Sequence, residues 1–172
     1  ETTEDLTELL PGRYKLTVTD ANGFLKTKTA SIYADLSWLN AVNVSTNNGV
    51  ITKSNSSKLW DAGAISENKL VAGMDGRVEY TIDATNKFLA FGLSSDNPDE
   101  NLPGIDHAIV LLGGKRLFVM ENGNIKGFSR YKVGDKVSII RVGNKIKYKL
   151  NNNLIKKSVI DNQVELFVDI SI

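Results

Sequence analysis

The sequence predicts an all-β protein, an antiparallel sandwich. Three observations carry this. Apolar and polar residues alternate at a period of two, as in Val78-Glu79-Tyr80-Thr81-Ile82-Asp83 and Asn144-Lys145-Ile146-Lys147-Tyr148-Lys149-Leu150. Successive side chains of a strand point to opposite faces, so the pattern marks sheets with one buried side. Turn dipeptides recur between the runs: Asn48-Gly49, Asp75-Gly76, Gly113-Gly114, Asn122-Gly123, Gly143-Asn144 and Asn151-Asn152. No amphipathic helical run interrupts them.

Along the chain, the first ten residues hold Glu1, Glu4, Asp5 and Glu8 and no basic residue, a solvated lead-in. Pro11-Gly12 is a turn signal. Arg13 to Asp20 then alternates with Tyr14, Leu16 and Val18 on one face. Asn22-Gly23 supplies a hairpin turn, because both residues tolerate positive φ, and Phe24 to Ile32 is the return strand. Residues 11–32 are therefore a β-hairpin, and 33–37 a linker. The chain divides into 1–34, the lead-in with its hairpin, and 35–172, the sandwich. Strands are expected near 38–45, 49–53, 76–83, 88–94, 105–111, 115–120, 124–129, 136–142, 145–150, 153–158 and 164–171. The longest stretches between strands are 54–75 and 95–104, and long loops on a rigid scaffold are where function concentrates.

Composition narrows the function classes. With 172 residues and 41% hydrophobic content, a sizeable core is available without a metal or disulfide staple. The net charge of +1 gives no global field for nucleic acid. The absence of Cys excludes thiol chemistry and Cys-ligated zinc. No apolar run is long enough to span a bilayer as a helix. Glu1 is not a natural start, so the chain is expected to be a piece of a larger multidomain protein.

Leu9-Leu10-Pro11-Gly12-Arg13-Tyr14-Lys15-Leu16-Thr17-Val18-Thr19-Asp20-Ala21-Asn22-Gly23 resembles the end of an Ig-like repeat of gliding-adhesin (SprB-type) proteins, with Phe24 where a Cys usually stands. A second resemblance runs over 38–172. It rests on Trp38 with Asn43-Val44, Trp60-Asp61-Ala62-Gly63-Ala64-Ile65-Ser66, Gly76 to Thr81 and Phe91-Gly92-Leu93-Ser94. Ile105-Asp106-His107-Ala108-Ile109, Glu121-Asn122-Gly123, Tyr131 to Asp135 and Ile146 to Asn152 complete it. In order, these resemble the concanavalin-like (SPRY-like) jelly-roll module of large bacterial surface proteins. The resemblance implies a jelly-roll sandwich and an extracellular or cell-surface setting. It transfers no catalytic residue.

Together these readings point to a non-catalytic, adhesin-like module that binds a glycan or other surface ligand through its loops. A ring can stack on a pyranose while Asn and Asp supply hydrogen bonds. The ligand-binding candidates are Trp60, Asp61, Tyr131, Asn97 and Asn101. The competing reading is that both tryptophans are buried and hold the sandwich together, which would fit a structural stalk or tip domain. Asp96, Asp99 and Asp106 offer the oxygen ligands that calcium takes, although the spacing is not an EF-hand and a polar solvated loop with Asx turns is the favoured account. A glycoside hydrolase needs two carboxylates on one concave face; Glu79, Asp83, Glu121 and Asp135 are the candidates. His107, the lone histidine, shares a face with isoleucines, as a core histidine would. From Lys126 to Lys157 ten Lys and Arg stand against one acid, Asp135. Such a stripe suits an acidic polysaccharide or simply a solvated sheet. Without interleaved exposed aromatics it does not suit single-stranded nucleic acid.

Overall fold

A computed structural model describes residues 12–32, 34–86, 88–96 and 99–172. The chain forms two compact units, Glu1–Asp35 and Leu36–Ile172. In the first, β1 (Gly12–Thr19) and β2 (Leu25–Ile32) pair antiparallel with Thr17 opposite Thr27. The hairpin expected from the sequence is present, but Asp20 organises its turn. The Asp20 carboxylate accepts the N–H groups of Asn22 (2.8 Å) and Phe24 (3.0 Å). Gly23, at φ +82°, donates its N–H to the Asp20 carbonyl. The loop therefore spans five residues rather than two.

The second unit is the antiparallel sandwich that the sequence predicts. Its strands are β3 (Trp38–Val42), β4 (Val44–Asn47), β5 (Val50–Lys53), β6 (Gly63–Leu70), β7 (Gly76–Thr81), β8 (Leu89–Ser94) and β9 (His107–Leu112). They continue with β10 (Arg116–Glu121), β11 (Asn124–Arg130), β12 (Lys136–Val142), β13 (Lys145–Leu150), β14 (Asn153–Val159) and β15 (Leu166–Ser171). Seven strands form one sheet in the order β11-β10-β9-β8-β15-β6-β3. Four form the facing sheet, β14-β13-β12-β7, and β4-β5 is a separate hairpin. Alternation selects the inward residues. Phe91, Leu93, Ile109, Leu111, Leu117 and Val119 of the larger sheet meet Val137, Ile139, Ile146 and Tyr148 of the smaller one in a single buried cluster. The turn signals are used as the sequence suggests. Asn122-Gly123 (φ 47° and 73°) and Asn151-Asn152 (φ 47° and 69°) close two-residue hairpins, the left-handed geometry that matches strand twist.

The larger sheet is covered on its other face as well. Residues 99–106, with a short 3₁₀ turn at Leu102–Gly104, fold across it. There Ala90, Ile105, Ala108 and Val110 form a second buried cluster, with Trp60, Leu102, Phe118 and Met120 packed against it. Gly92 permits the close approach: a Cβ at that position would lie 2.3 Å from the His107 carbonyl oxygen and 2.5 Å from Ile105.

One strand differs from expectation. Residues 63–70, placed by the sequence within a long loop, are β6, paired with both β15 and β3. Its first half, Gly63-Ala64-Ile65-Ser66, is buried on both faces and does not alternate. Its second half carries Glu67, Asn68 and Lys69, which have low strand propensity.

Arg141 on β12 is fully buried. Its guanidinium donates to the carbonyls of Met74 (2.7 Å), Val164 (2.7 Å) and Val71. These carbonyls lie in two of the four connections that carry the chain between the sheets, β6 to β7 and β14 to β15. Burial lowers the Arg141 pKa and the Asp75 charge opposes this; the side chain remains a cation. Arg141→Leu leaves the Met74 and Val164 carbonyls without this donor, each worth about 1–3 kcal/mol, while the Val71 carbonyl keeps the Met74 N–H (3.0 Å). A loss of at least roughly 2 kcal/mol in urea unfolding is expected. Arg141→Lys should recover only part, because an ammonium lacks the planar fork. A Leu variant within about 1 kcal/mol of the parent would rule out this role.

Candidate functional site

The two sheets are unequal. The four-stranded sheet stops at β7, while the seven-stranded sheet continues through β15, β6 and β3. Over that stretch lie the β4-β5 hairpin and residues 57–60, leaving a cleft of about 780 Å³. Its walls include Trp38, Trp60, Tyr80, Phe88, Phe91 and Ile170. The inward residues here, Val78, Tyr80, Val168 and Ile170, are only partly buried. Under the middle of the smaller sheet, Ile139, Ile146 and Tyr148 are fully buried. Solvent thus reaches the inner side of the sandwich along β7.

Specific bonds fix the cleft walls. The Trp38 indole N–H donates to the Gly49 carbonyl (2.9 Å), tying the ring to the turn of the β4-β5 hairpin. Trp60 meets Phe88 edge to face, with centroids 6.4 Å apart at 74°. Phe88 is 54% exposed, so this pair presents aromatic surface at the mouth. The Tyr80 hydroxyl donates to Asp83 (2.6 Å). Burial and then the Asp83 contact raise the Tyr80 pKa, keeping the phenol protonated.

The loop bearing Trp60 is held by Lys53. Its ammonium lies 2.8 Å from the Asp61 carboxylate and donates to the carbonyls of Leu59 (2.7 Å) and Ile172 (2.9 Å). That contact holds the Asp61 carboxyl below its usual range. Asn43 donates to the Asp61 carbonyl (2.7 Å), and Asn55 reaches the second carboxylate oxygen at 3.4 Å. Trp60 and Asp61 are thus brought together, beside Asn55 and Ser57. Lys53, Tyr80 and Phe88 were not singled out by sequence, since no local pattern links them to Trp60.

The other candidates lie elsewhere. Tyr131 is 3% exposed and belongs to the main core. Its hydroxyl donates to the Leu112 carbonyl (3.0 Å), so the ring is packing material and not a stacking platform. Asn101 is exposed and its N–H donates to Asp99 (2.9 Å). Asn97 lies outside the described residues. Asp96 is exposed, whereas the Asp106 carboxylate accepts both the N–H and the hydroxyl of Ser95, each at 2.8 Å. Asp99 is thus engaged in a local turn, and Asp106 ties Ser95 to the start of β9. Among the described residues, no three His, Cys, Asp or Glu side chains converge on a possible metal position.

The four carboxylates considered for hydrolysis each lie against other groups of the fold. Glu79 lies near Arg77 (3.9 Å) and Lys136 (3.6 Å). Asp83 is held by Tyr80. Asp135 closes a turn, accepting the Lys132 N–H (2.9 Å) and the Asn151 amide (2.7 Å). Glu121 lies opposite His107 in the β9-β10 pairing. His107 faces the core, as expected, with its Nδ1 3.0 Å from the Tyr148 hydroxyl. Burial pushes the His107 pKa down, while the Glu121 and Asp106 charges pull it up.

Asp169 was missed. It is 2% exposed on β15 and accepts the Ser94 hydroxyl (2.7 Å), which in turn accepts the Asp106 N–H (3.3 Å). The alternation of Val168-Asp169-Ile170 marks Asp169 as facing away from the core, but that face of the sheet is itself covered.

The fold and cleft define an antiparallel β-sandwich with an open inner edge. No protein-family model and no curated protein matches the chain. Among solved structures it is similar to a β-glucanase of Bacillus licheniformis, at 13% identity and TM-score 0.46, over 93% of this chain and 85% of that one. It is also similar to LamA of Zobellia galactanivorans in complex with laminaritriose and laminaritetraose, at 11% identity and TM-score 0.41, over 77% and 66%. A lichenase from a mouse hindgut metagenome matches at 12% identity and TM-score 0.41, over 94% and 87%. At such distances no activity or binding site carries over.

Burial pushes the Asp169 carboxyl up to about 6; the Ser94 hydrogen bond opposes this, and the Asp106 and Asp99 charges add to it. The folded state therefore binds more protons than the unfolded state between about pH 4 and pH 6. Stability contributed by this group is present at low pH and falls as pH rises through that window, by roughly 3 kcal/mol. Asp169→Asn should remove that part of the pH dependence in urea unfolding at low and neutral pH. An unchanged pH slope in the variant would contradict the assignment.

Proposed function

We propose that the sandwich is a non-catalytic binding module of a cell-surface or secreted protein, with a carbohydrate seated at the mouth of the cleft. The observation that carries this reading is the Trp60–Phe88 pair, set beside the polar groups of Asn55, Ser57 and Asp61. Sugar rings offer apolar C–H faces to aromatic rings and hydroxyls to amides and carboxylates. A purely structural spacer has no need to leave Phe88 54% exposed beside a half-buried tryptophan. The non-catalytic part of the reading is supported by the structural partners that engage Glu79, Asp83 and Asp135.

The depth of the cleft favours a second reading. Behind the aromatic mouth the walls are Leu89, Phe91, Val168 and Ile170. An apolar space of several hundred Å³ takes lipophilic molecules readily.

A glycan array probed with the full chain separates the two readings. Binding to a defined sugar class, weakened about tenfold or more by Trp60→Ala and by Phe88→Ala, is the expected result. A blank array, together with saturable binding of an apolar fluorescent dye, would replace the carbohydrate with a lipophilic ligand.

A further inference from the structure

The outer face of the four-stranded sheet carries a separate surface. Strand register places Arg77, Lys136, Lys145, Lys147, Lys149 and Lys157 on it. Glu79 is the one acid in that array, and it lies within ion-pair distance of Arg77 (3.9 Å) and Lys136 (3.6 Å). Among the described residues the other four lysines have no acidic partner. Lys147 stands directly opposite Lys157 in the β13-β14 pairing. Like charges facing each other across strands are destabilising. Along β13, Lys145, Lys147 and Lys149 recur at every second residue, about 7 Å apart.

Edge protection does not account for this row. Lysines discourage unwanted pairing on edge strands, and Lys157 on β14 fits that role. β13 is an interior strand, paired with β12 on one side and β14 on the other. The cations are also locally concentrated, since the whole chain carries a net charge of only +1.

We infer that this face binds an extended anionic polysaccharide whose sulfate or carboxylate groups lie along the lysine row of β13. The polymer supplies the counter-charges that the sheet lacks and relieves the Lys147–Lys157 repulsion. Single-stranded nucleic acid fits less well. The face offers no ring for base stacking, because Tyr80 and Tyr148 on the same strands pack into the core. This surface goes beyond the cleft reading and is independent of it. The cleft opens on the inner side of the sandwich, past the free edge of β7, and its test substitutes Trp60 and Phe88.

The experiment titrates the full chain with heparin and with polygalacturonate, and with an oligothymidylate as comparison. Binding to at least one of the two polysaccharides should weaken about tenfold or more between roughly 50 and 200 mM salt, as counterion release requires. The Lys147→Glu, Lys149→Glu pair should lose at least tenfold at low salt. The Lys147→Gln, Lys149→Gln pair should lose less, and Lys147→Arg, Lys149→Arg should retain binding. Lys26→Glu with Lys28→Glu makes the same change in net charge on the hairpin and should leave binding intact. The inference is overturned if neither polysaccharide binds, or if the hairpin pair weakens binding as much as the β13 pair. Tighter binding of the oligothymidylate would also overturn it, in favour of nucleic acid.

Discussion

The sandwich depends on how its two sheets are held together where the chain crosses between them, and at two of the four crossings the joint is made by one buried cation. Arg141 gathers carbonyls from the β6-β7 and β14-β15 connections. The Gly73 N–H bonds the two connections directly, donating to the Asn162 carbonyl at 2.6 Å. The Gly143 N–H adds a further tie to the Asp75 carboxylate (2.7 Å). Carbonyls in crossing loops have no ladder partners, and leaving them dry and unpaired is costly. The guanidinium satisfies three at once, and their dipoles compensate its charge without a contacting carboxylate.

With the sheets joined there, their unequal width has a direct result. Seven strands face four, so part of the larger sheet has no strand opposite it. The β4-β5 hairpin and the Trp60 loop roof that part without filling it. Lys53 holds the roof by bonding to both ends of the arrangement, the loop at Leu59 and Asp61 and the chain at Ile172. The cleft is therefore a property of topology, and Trp60 and Phe88 are the residues that happen to stand at its opening.

Much of the fold could be read from the sequence because most strands have one dry and one wet face. β7 and β13 alternate cleanly, and Gly143-Asn144 and Asn151-Asn152 mark the hairpins on either side of β13. The larger sheet obeys a different rule, since the 99–106 segment makes its second face dry too. β6 lost its alternation for that reason, and Asp169, on the covered side of β15, looked solvated when it is not. The same segment looked like a ligand-bearing loop and acts largely as a cover. Tyr131 shows another limit: a tyrosine after a strand can turn inward, and only the carbonyl of Leu112 waiting for its hydroxyl reveals the direction. Trp60 and Asp61 were legible through their position in a long segment. Lys53, Tyr80 and Phe88 reach them only through tertiary contacts.

The chain has two tryptophans, Trp38 and Trp60, and both stand in the walls of the cleft. The indole emission of the protein therefore originates from the walls of the cleft. Neither the main core nor the lysine-rich sheet face contributes an indole. Excited at the red edge of its absorption, the native chain carries its own optical gauge of cleft hydration, without a label and without a substitution.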